Sequence, residues 1–540
     1  MKILMVAAEN DALPGAKVGG IGDVVRDIPI ALAEAGHEVS VVIPGYGALS
    51  TLKDAQFMGR LNVTYAGHLE AVDIYKIKFQ NGNDSTSENG GEVTQWVLEH
   101  PLFAAGGIGK VYCDDPGDRP FATDASKFAL FCAAVATGVV EMEFGDIDIL
   151  HLHDWHAAMV AVLRAYDAKF ASLRSIHTVY TIHNLALQGV RPFSGDESSM
   201  DHWFRGMTYQ GAAICDPAYP QCFNPMRAGI NLCDRVHAVS VNYANEIVQP
   251  SDHYRGYYGG EGLEQDLRRA KSEGRLQGIL NGCEYPQSVQ DKKALPLSEL
   301  LLLIEDELLK WVSKSPSVQS AHFIAMSRLR RLLAKSDKQL KKDVGIVLTS
   351  IGRITSQKVR LFEQRMDDGR CALSHFLDKL DEKTEGKGLF ILLGSGDKQL
   401  EGFLTEVAAK HSNLLYLQGY SQSLSDNLYP VGDLFIMPSS FEPCGISQML
   451  AMRSGQPCLA HGVGGLSDTI AHEDNGFIFK GSDPLNQAEQ MLVKFEDALN
   501  IFHFDELKWQ GIAGRAFESR FLWSDAAAHY VNKLYDNEPK

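Results

Sequence analysis

Short runs of β-branched and aliphatic residues alternate with helical patterns along this chain, and the alternation occurs twice. In the first half the pattern predicts strands at 2–8, 39–43, 148–153, 177–183 and 235–240, with helices at 23–35, 124–143 and 156–166. Parallel neighbours need a crossover, and a helix makes it compactly, so this rhythm specifies a doubly wound parallel sheet. It restarts with strands at 344–351, 388–393, 413–418, 433–438, 457–460 and 476–479. The expected fold class is therefore α/β, with two Rossmann-like doubly wound domains facing across a cleft. The boundaries read as 1–255, 256–518 with an atypical helical segment at 284–343, and 519–540 as a C-terminal helix returning to the N-terminal domain. Ligands of such sheets sit at the carboxyl ends of the strands, so the chemistry is expected in the loops that leave them.

With 540 residues and 45% hydrophobic content the chain can fill two such cores. Its formal net charge of −17 argues against a nucleic-acid partner, whose affinity would come from neutralising phosphates. The longest apolar stretch, 128–140, is shorter than the ~18 residues of a spanning helix and reads as a buried helix, so no membrane is expected. MKILMVAAEN lacks the features of a secretory leader, and the nine scattered cysteines contain no CxxC pair. Reduced thiols in a cytoplasmic protein fit this better than a zinc site or a disulfide framework. The Asn62 and Asn83 glycosylation patterns then read as chance, 81–92 as a hairpin tip, and the basic amphipathic run 326–342 as a solvated helix packing its leucines inward.

Several strand-end loops carry polar chemistry. KVGGIGDV (17–24) is a Gly-rich turn opening a helix, with Lys17 beside the Gly19-Gly20 pair and Asp23 just inside. Such a turn lets backbone N–H groups approach an anionic oxygen, although a tight connection alone explains it equally well. It is not GxGxxG and lacks the acidic residue of a ribose site, which disfavours a nicotinamide dehydrogenase. HDWHA (153–157) and TIHN (181–184) end two strands, placing Asp154 and His183 at one sheet edge, where a structural role is the commoner one for a lone histidine. No HExxH or converging oxygen set indicates a metal. GRITSQK (352–358) spaces Arg353 and Lys358 so that both reach a diphosphate, Arg as a fork and Lys as a point charge. FEPCGISQ (441–448) sets Glu442 before a helix, either to hold a sugar or to compensate the helix dipole.

In this order KVGGIGDV, HDWHA, TIHNLALQGV, GILNG, GRITSQK, LLGSGD and FEPCGISQ resemble the bacterial glycogen synthases and plant starch synthases, retaining glycosyltransferases of the GT-B architecture. The resemblance covers most of 1–282 and resumes from about 345; the segment between is foreign to it. It implies an acceptor-side first domain and a nucleotide-sugar-binding second domain. It implies that Lys17, Gly19 and Gly20 meet the donor diphosphate and glucose, with Asp23 near the acceptor. Asp154, His183 and Asn281 would surround the glucosyl unit, and Arg353 and Lys358 would bind the phosphates. Glu442 would hold glucosyl hydroxyls, Cys444, Gly445 and Ser447 would lie at the phosphate, and Tyr420 would stack on the base. The reaction implied is transfer of glucose from ADP-glucose to the nonreducing end of an α-1,4-glucan such as glycogen, with retention and with neither cofactor nor metal. Lobe closure would exclude water.

The sequence departs from that family at CLAHGVGG (458–465), where an Arg-Arg pair is usual, and at Gly282-Cys283-Glu284 in place of Gly-Val-Asp. Two competing readings follow: a related transferase using UDP-glucose or another acceptor, and a catalytically silent glucan-binding homologue. A phosphorylase is disfavoured by length and by the lack of a pyridoxal-lysine signature.

Overall fold

A computed structural model of the chain describes residues 1–77, 92–286 and 294–536. The hairpin tip expected at 81–92 falls, apart from Glu92, outside them. Contacts divide the chain into two units, the first made of Met1–Ser251, Gly259–Gly282 and Leu522–Lys540, the second of Asp252–Tyr258 and Cys283–Phe521.

The first unit is built on β1 (Lys2–Val6), β2 (Glu38–Pro44), β3 (Ala55–Tyr65), β4 (His68–Ile77), β5 (Thr94–Glu99), β6 (Ile149–His153) and β7 (His177–Ile182). A small ribbon, β8 (Arg191–Pro192) with β9 (Cys222–Phe223), precedes β10 (Arg235–Ala238) and β11 (Leu276–Gly278). The nine-stranded sheet runs β11-β10-β7-β6-β1-β2-β5-β4-β3. From β11 to β5 every pairing is parallel. β6 and β7 are buried along their whole length, as central strands covered on both faces must be.

The antiparallel edge formed by β3 and β4 was not among the expected strands. Only alternate residues of β3's end, Leu61, Val63 and Tyr65, are buried, so its hydrophobic run is diluted. The turn joining it to β4 uses Ala66 at φ 51° and Gly67 at φ 82°, a two-residue loop whose left-handed pair matches the strand twist. Asn or Asp would have announced that turn; Ala66 does not.

Helix Ala122–Val140 both starts and ends earlier than the expected 124–143; its 19 residues are enough by length and composition to cross a membrane, yet 83% of its apolar window is buried inside the protein. Phe128, Leu130, Phe131 and Val135 are fully enclosed. Helix Gly20–Glu34 packs Val25, Ile28 and Leu32 in one cluster with Ala526, Ala527 and Tyr530 of helix Trp523–Tyr530. The first unit's core therefore includes the far end of the chain.

The second unit has an all-parallel six-stranded sheet, ordered β14-β13-β12-β15-β16-β17. Its strands are β12 (Ile346–Ile351), β13 (Gly388–Leu393), β14 (Leu414–Leu417), β15 (Leu434–Met437), β16 (Cys458–His461) and β17 (Gly476–Phe479). On one face helices Ala372–Lys383 and Pro484–Phe504 meet through Phe376 and Phe495, whose rings stack at 3.8 Å. The other face is covered by the atypical segment. Helices Leu297–Lys314 and Ser320–Leu333 lay Leu300, Ile304, Leu308 and Leu329 in one cluster with Val347, Ile391 and Leu415. The basic run expected as one helix at 326–342 is divided between Ser320–Leu333 and Asp337–Asp343, with Ser336 capping the second, and its Leu329 and Leu340 are core, as the pattern predicted.

Candidate active site

Each sheet reverses its winding once. In the first unit β1 lies between β2 and β6, and in the second β12 lies between β13 and β15. Crevices beyond the carboxyl ends of strands at such points are where open α/β sheets bind ligands. The loops leaving β1 and β6, and those leaving β12 and β15, hold most of the residues singled out from the sequence.

After β1 the chain makes a loop that Glu9 organises. Glu9 is 1% exposed, and its Oε2 accepts the backbone N–H groups of Val18 at 2.6 Å and Gly19 at 2.5 Å, while the Tyr112 hydroxyl donates to Oε1 at 2.6 Å. Gly19 caps helix Gly20–Glu34 in an extended conformation, so the Gly19-Gly20 pair stands at the helix entrance. Lys17 Nζ donates to Asp23 at 2.5 Å and to Asp11 at 3.1 Å. Burial depresses the Lys17 ammonium, but Asp23 and Asp11 outweigh it and its pKa is raised; burial likewise raises Asp23 against the pull of Lys17. Glu9 was not singled out from the sequence. A carboxylate closing an apolar run was the available signal, but its partners lie 9, 10 and 103 residues away.

Asp154 and His183 are brought together by the adjacent ends of β6 and β7. Asp154 opens the short helix Asp154–Ala157 at φ 53°, a left-handed conformation uncommon for any residue with a side chain. Its Oδ1 accepts the backbone N–H of His183 at 2.7 Å. Burial raises its pKa to about 8, against the opposing N–H groups of His183 and Asn184. The His183 ring Nε2 lies 2.9 Å from Nδ1 of His153, and burial holds both imidazoles far below their usual range, hence neutral. His153 stacks in turn on His151, whose Nδ1 meets the Tyr535 hydroxyl at 2.8 Å. Asn281 follows β11; it is 4% exposed, and its Oδ1 has no hydrogen-bond partner among the described residues. A buried amide oxygen left unpaired is unfavourable unless something else satisfies it.

In the second unit Lys358 Nζ forms an ion pair with Glu442, whose carboxylate is 8% exposed. Their loops are fastened by Gln357, which donates from Nε2 to the Phe441 carbonyl at 2.8 Å and accepts the Ser440 N–H at 2.8 Å. Glu442 is therefore engaged with Lys358 and stands outside the first turn of helix Ser447–Arg453, which contains no acidic residue. Arg353 is exposed and, with Lys358, Met437 and Ser439, lines a cavity of about 30 Å³ between the ends of β12 and β15. Cys444 is buried, Gly445 takes φ 77°, and Ser447 begins the helix. Gly464, at φ 42°, lies so close beneath this loop that a Cβ there would stand 2.0 Å from the Glu442 carbonyl oxygen. The unusual GVGG stretch is thus the floor under Glu442. Tyr420 follows β14 and is 62% exposed.

A larger cavity of about 680 Å³, lined by Asn231, Arg235, Arg269 and Arg275, opens at the start of β10, away from these loops. Strand polarity, rather than cavity size, locates the chemistry. Among the described residues no group of three or more His, Cys, Asp or Glu is arranged to hold a metal ion.

Residues 2–269 match the family model described as starch synthase catalytic domain, and residues 357–497 match glycosyl transferases group 1. The chain is 31% identical over 543 residues to a glycogen synthase of Streptococcus pneumoniae (strain CGSP14), with 98% of both chains covered. It is 28% identical, over the same span and coverage, to one of Desulfitobacterium hafniense. In structure it resembles the catalytic domain of starch synthase IV from Arabidopsis thaliana bound to ADP and acarbose, with a TM-score of 0.72 and 24% identity over 99% of this chain and 98% of that one. Sucrose-phosphate synthase from Thermosynechococcus elongatus follows with a TM-score of 0.52 and 14% identity, covering 99% and 98%.

Two largely parallel α/β sheets give the chain the GT-B fold, and the matched family models make it a glycosyltransferase. Full-length similarity then specifies the group, and the chain belongs to the glycogen and starch synthase family.

Proposed function

We propose that the chain transfers glucose from ADP-glucose to the nonreducing 4-hydroxyl of an α-1,4-glucan, with retention at C1. The observation that carries this reading is the pairing of Lys358 with Glu442 beside exposed Arg353 at the second sheet's switch point. As the C1–O bond breaks, charge builds on the departing diphosphate. Fixed cations stabilise that charge more in the transition state than in the ground state, which is what accelerates a reaction. Arg353 and Lys358 take this role, with Ser447, Gly445 and Cys444 presenting the adjoining loop to phosphate and Tyr420 stacking on the adenine. Glu442, already oriented by Lys358, accepts hydrogen bonds from glucosyl hydroxyls.

In the first unit Asp154, His183 and Asn281 hold the glucosyl group, and Lys17 with the Gly19-Gly20 turn serves the donor, leaving Asp23 for the acceptor. Neutral His183 and raised-pKa Asp154 suit hydrogen bonding to uncharged hydroxyls, through the polar atoms that the His183–His153 contact and the His183 N–H bond to Asp154 Oδ1 leave over. ADP and acarbose, the ligands of the Arabidopsis protein, are compatible with this donor and acceptor. All nine cysteines are free thiols, in keeping with a cytoplasmic enzyme.

Initial rates with glycogen and either ADP-glucose or UDP-glucose test the proposal. Faster turnover of ADP-glucose, abolished in an Arg353→Ala, Lys358→Ala double variant, is expected. Preference for UDP-glucose would move the assignment to the altered 458–463 loop and a different donor. Absence of nucleotide release with any donor, alongside glycogen binding, would leave a silent homologue.

A further inference from the structure

Two side chains of the atypical segment brace two consecutive residues, Gln418 and Gly419, of the loop leaving β14. Trp311, from helix Leu297–Lys314, lies flat against Gly419: a Cβ there would stand 2.6–2.7 Å from its ring atoms Cδ2, Cε2 and Cε3. His322, from helix Ser320–Leu333, is 5% exposed and hydrogen-bonds the Gln418 carbonyl through Nε2 at 2.8 Å. The rings of Trp311 and His322 lie 6.1 Å apart, so the two braces form one wall. Next to the braced residues stands Tyr420, its ring projecting to solvent at 62% exposure and its hydroxyl tied to Gln422.

We propose that Trp311 is a positioning residue for the donor's base, fixing Gly419 so that the adjoining Tyr420 ring is held ready for an adenine. This rests on the reading of Tyr420 as the base-stacking residue. Physically, a ring on a loop stacks well only if its backbone does not have to be ordered at the moment of binding. Trp311 supplies a rigid plane against a backbone position that has no side chain of its own. The segment thereby tunes donor recognition while touching no substrate.

The test is donor kinetics on the full chain. Trp311→Ala is expected to raise the KM for ADP-glucose about tenfold, with kcat within about twofold and the KM for glycogen unchanged. Trp311→Phe, which keeps a ring, is expected to restore most of the loss, and the preference for ADP-glucose over UDP-glucose should fall in Trp311→Ala. His322→Ala, which removes one hydrogen bond from the same wall, supplies a second variant should Trp311→Ala fold poorly and is expected to raise the same KM by a smaller factor. If Tyr420→Ala raises the donor KM but Trp311→Ala and His322→Ala do not, the bracing role is overturned while the base assignment stands. If Tyr420→Ala itself leaves donor KM unchanged, the base assignment falls and takes the bracing role with it.

Discussion

The Oδ1 atom of Asp154 accepts the backbone N–H of His183 at 2.7 Å, linking the ends of two adjacent central strands through a side chain whose own backbone is left-handed. A buried carboxyl in that position holds its proton to about pH 8, whereas the unfolded chain releases it near pH 4. Between those values the folded state binds the extra proton, so this group's contribution to stability is complete below about pH 4 and is lost as the pH rises toward 8. Thermal melts from pH 5 to 8 should therefore show a smaller decline in Asp154→Asn than in the parent. An equal decline in both would show that Asp154 does not titrate in this window.

Glu9 ties the Gly-rich loop by two N–H groups at once. Glu9→Ala leaves those partly buried donors without their acceptor, so a loss of about 1 kcal/mol is expected. Glu9→Gln keeps one acceptor oxygen and should lose less. Denaturant titration of both variants, with donor KM measured alongside, checks the ordering.

Lys358 and Glu442 form a pair with the carboxylate deeply placed. Removing the cation strands that charge, at a cost of about 3–5 kcal/mol where burial is complete and less here, since Lys358 is partly exposed. Lys358→Ala is expected to lower kcat by about two orders of magnitude or more. Adding Glu442→Gln should recover part of the stability but none of the activity. A double variant as unstable as Lys358→Ala alone would contradict the pairing.

Two glycines separate close packing from chain flexibility. Gly464→Ala drives a Cβ against the Glu442 carbonyl from a left-handed backbone and should destabilise the second unit by more than about 1 kcal/mol. Gly402 lies inside helix Lys398–Lys410, where an added methyl would meet nothing within 4 Å, so Gly402→Ala should stabilise by about 0.5–1 kcal/mol. Melting temperatures should move in opposite directions.

The repeated βαβ rhythm carried the fold class, since strands buried on both faces read as continuous apolar runs; the spans 388–393 and 476–479 coincide with β13 and β17. β3 and β4 escaped because one face is solvated and Ala66 disguises the turn. The strand-end placement of Asp154, His183, Arg353, Lys358 and Glu442 was legible because local motifs fix loop positions. What local pattern does not encode is partnership across the sheet. Nothing near Glu9 names Gly19, nothing near Trp311 names Gly419, and nothing near GVGG names Glu442; those relationships exist only once the strands are ordered side by side.

Helix Trp523–Tyr530 and Tyr535 complete the core beneath the Gly-rich loop and the histidine stack of the first unit, yet they follow the whole second unit in the chain. On the ribosome, the opening sheet must therefore wait, with an apolar flank uncovered, until the last stretch emerges. Nascent chains stalled before Leu522 would be natural clients for chaperones, and the Gly-rich loop would acquire its final rigidity only once that helix had emerged.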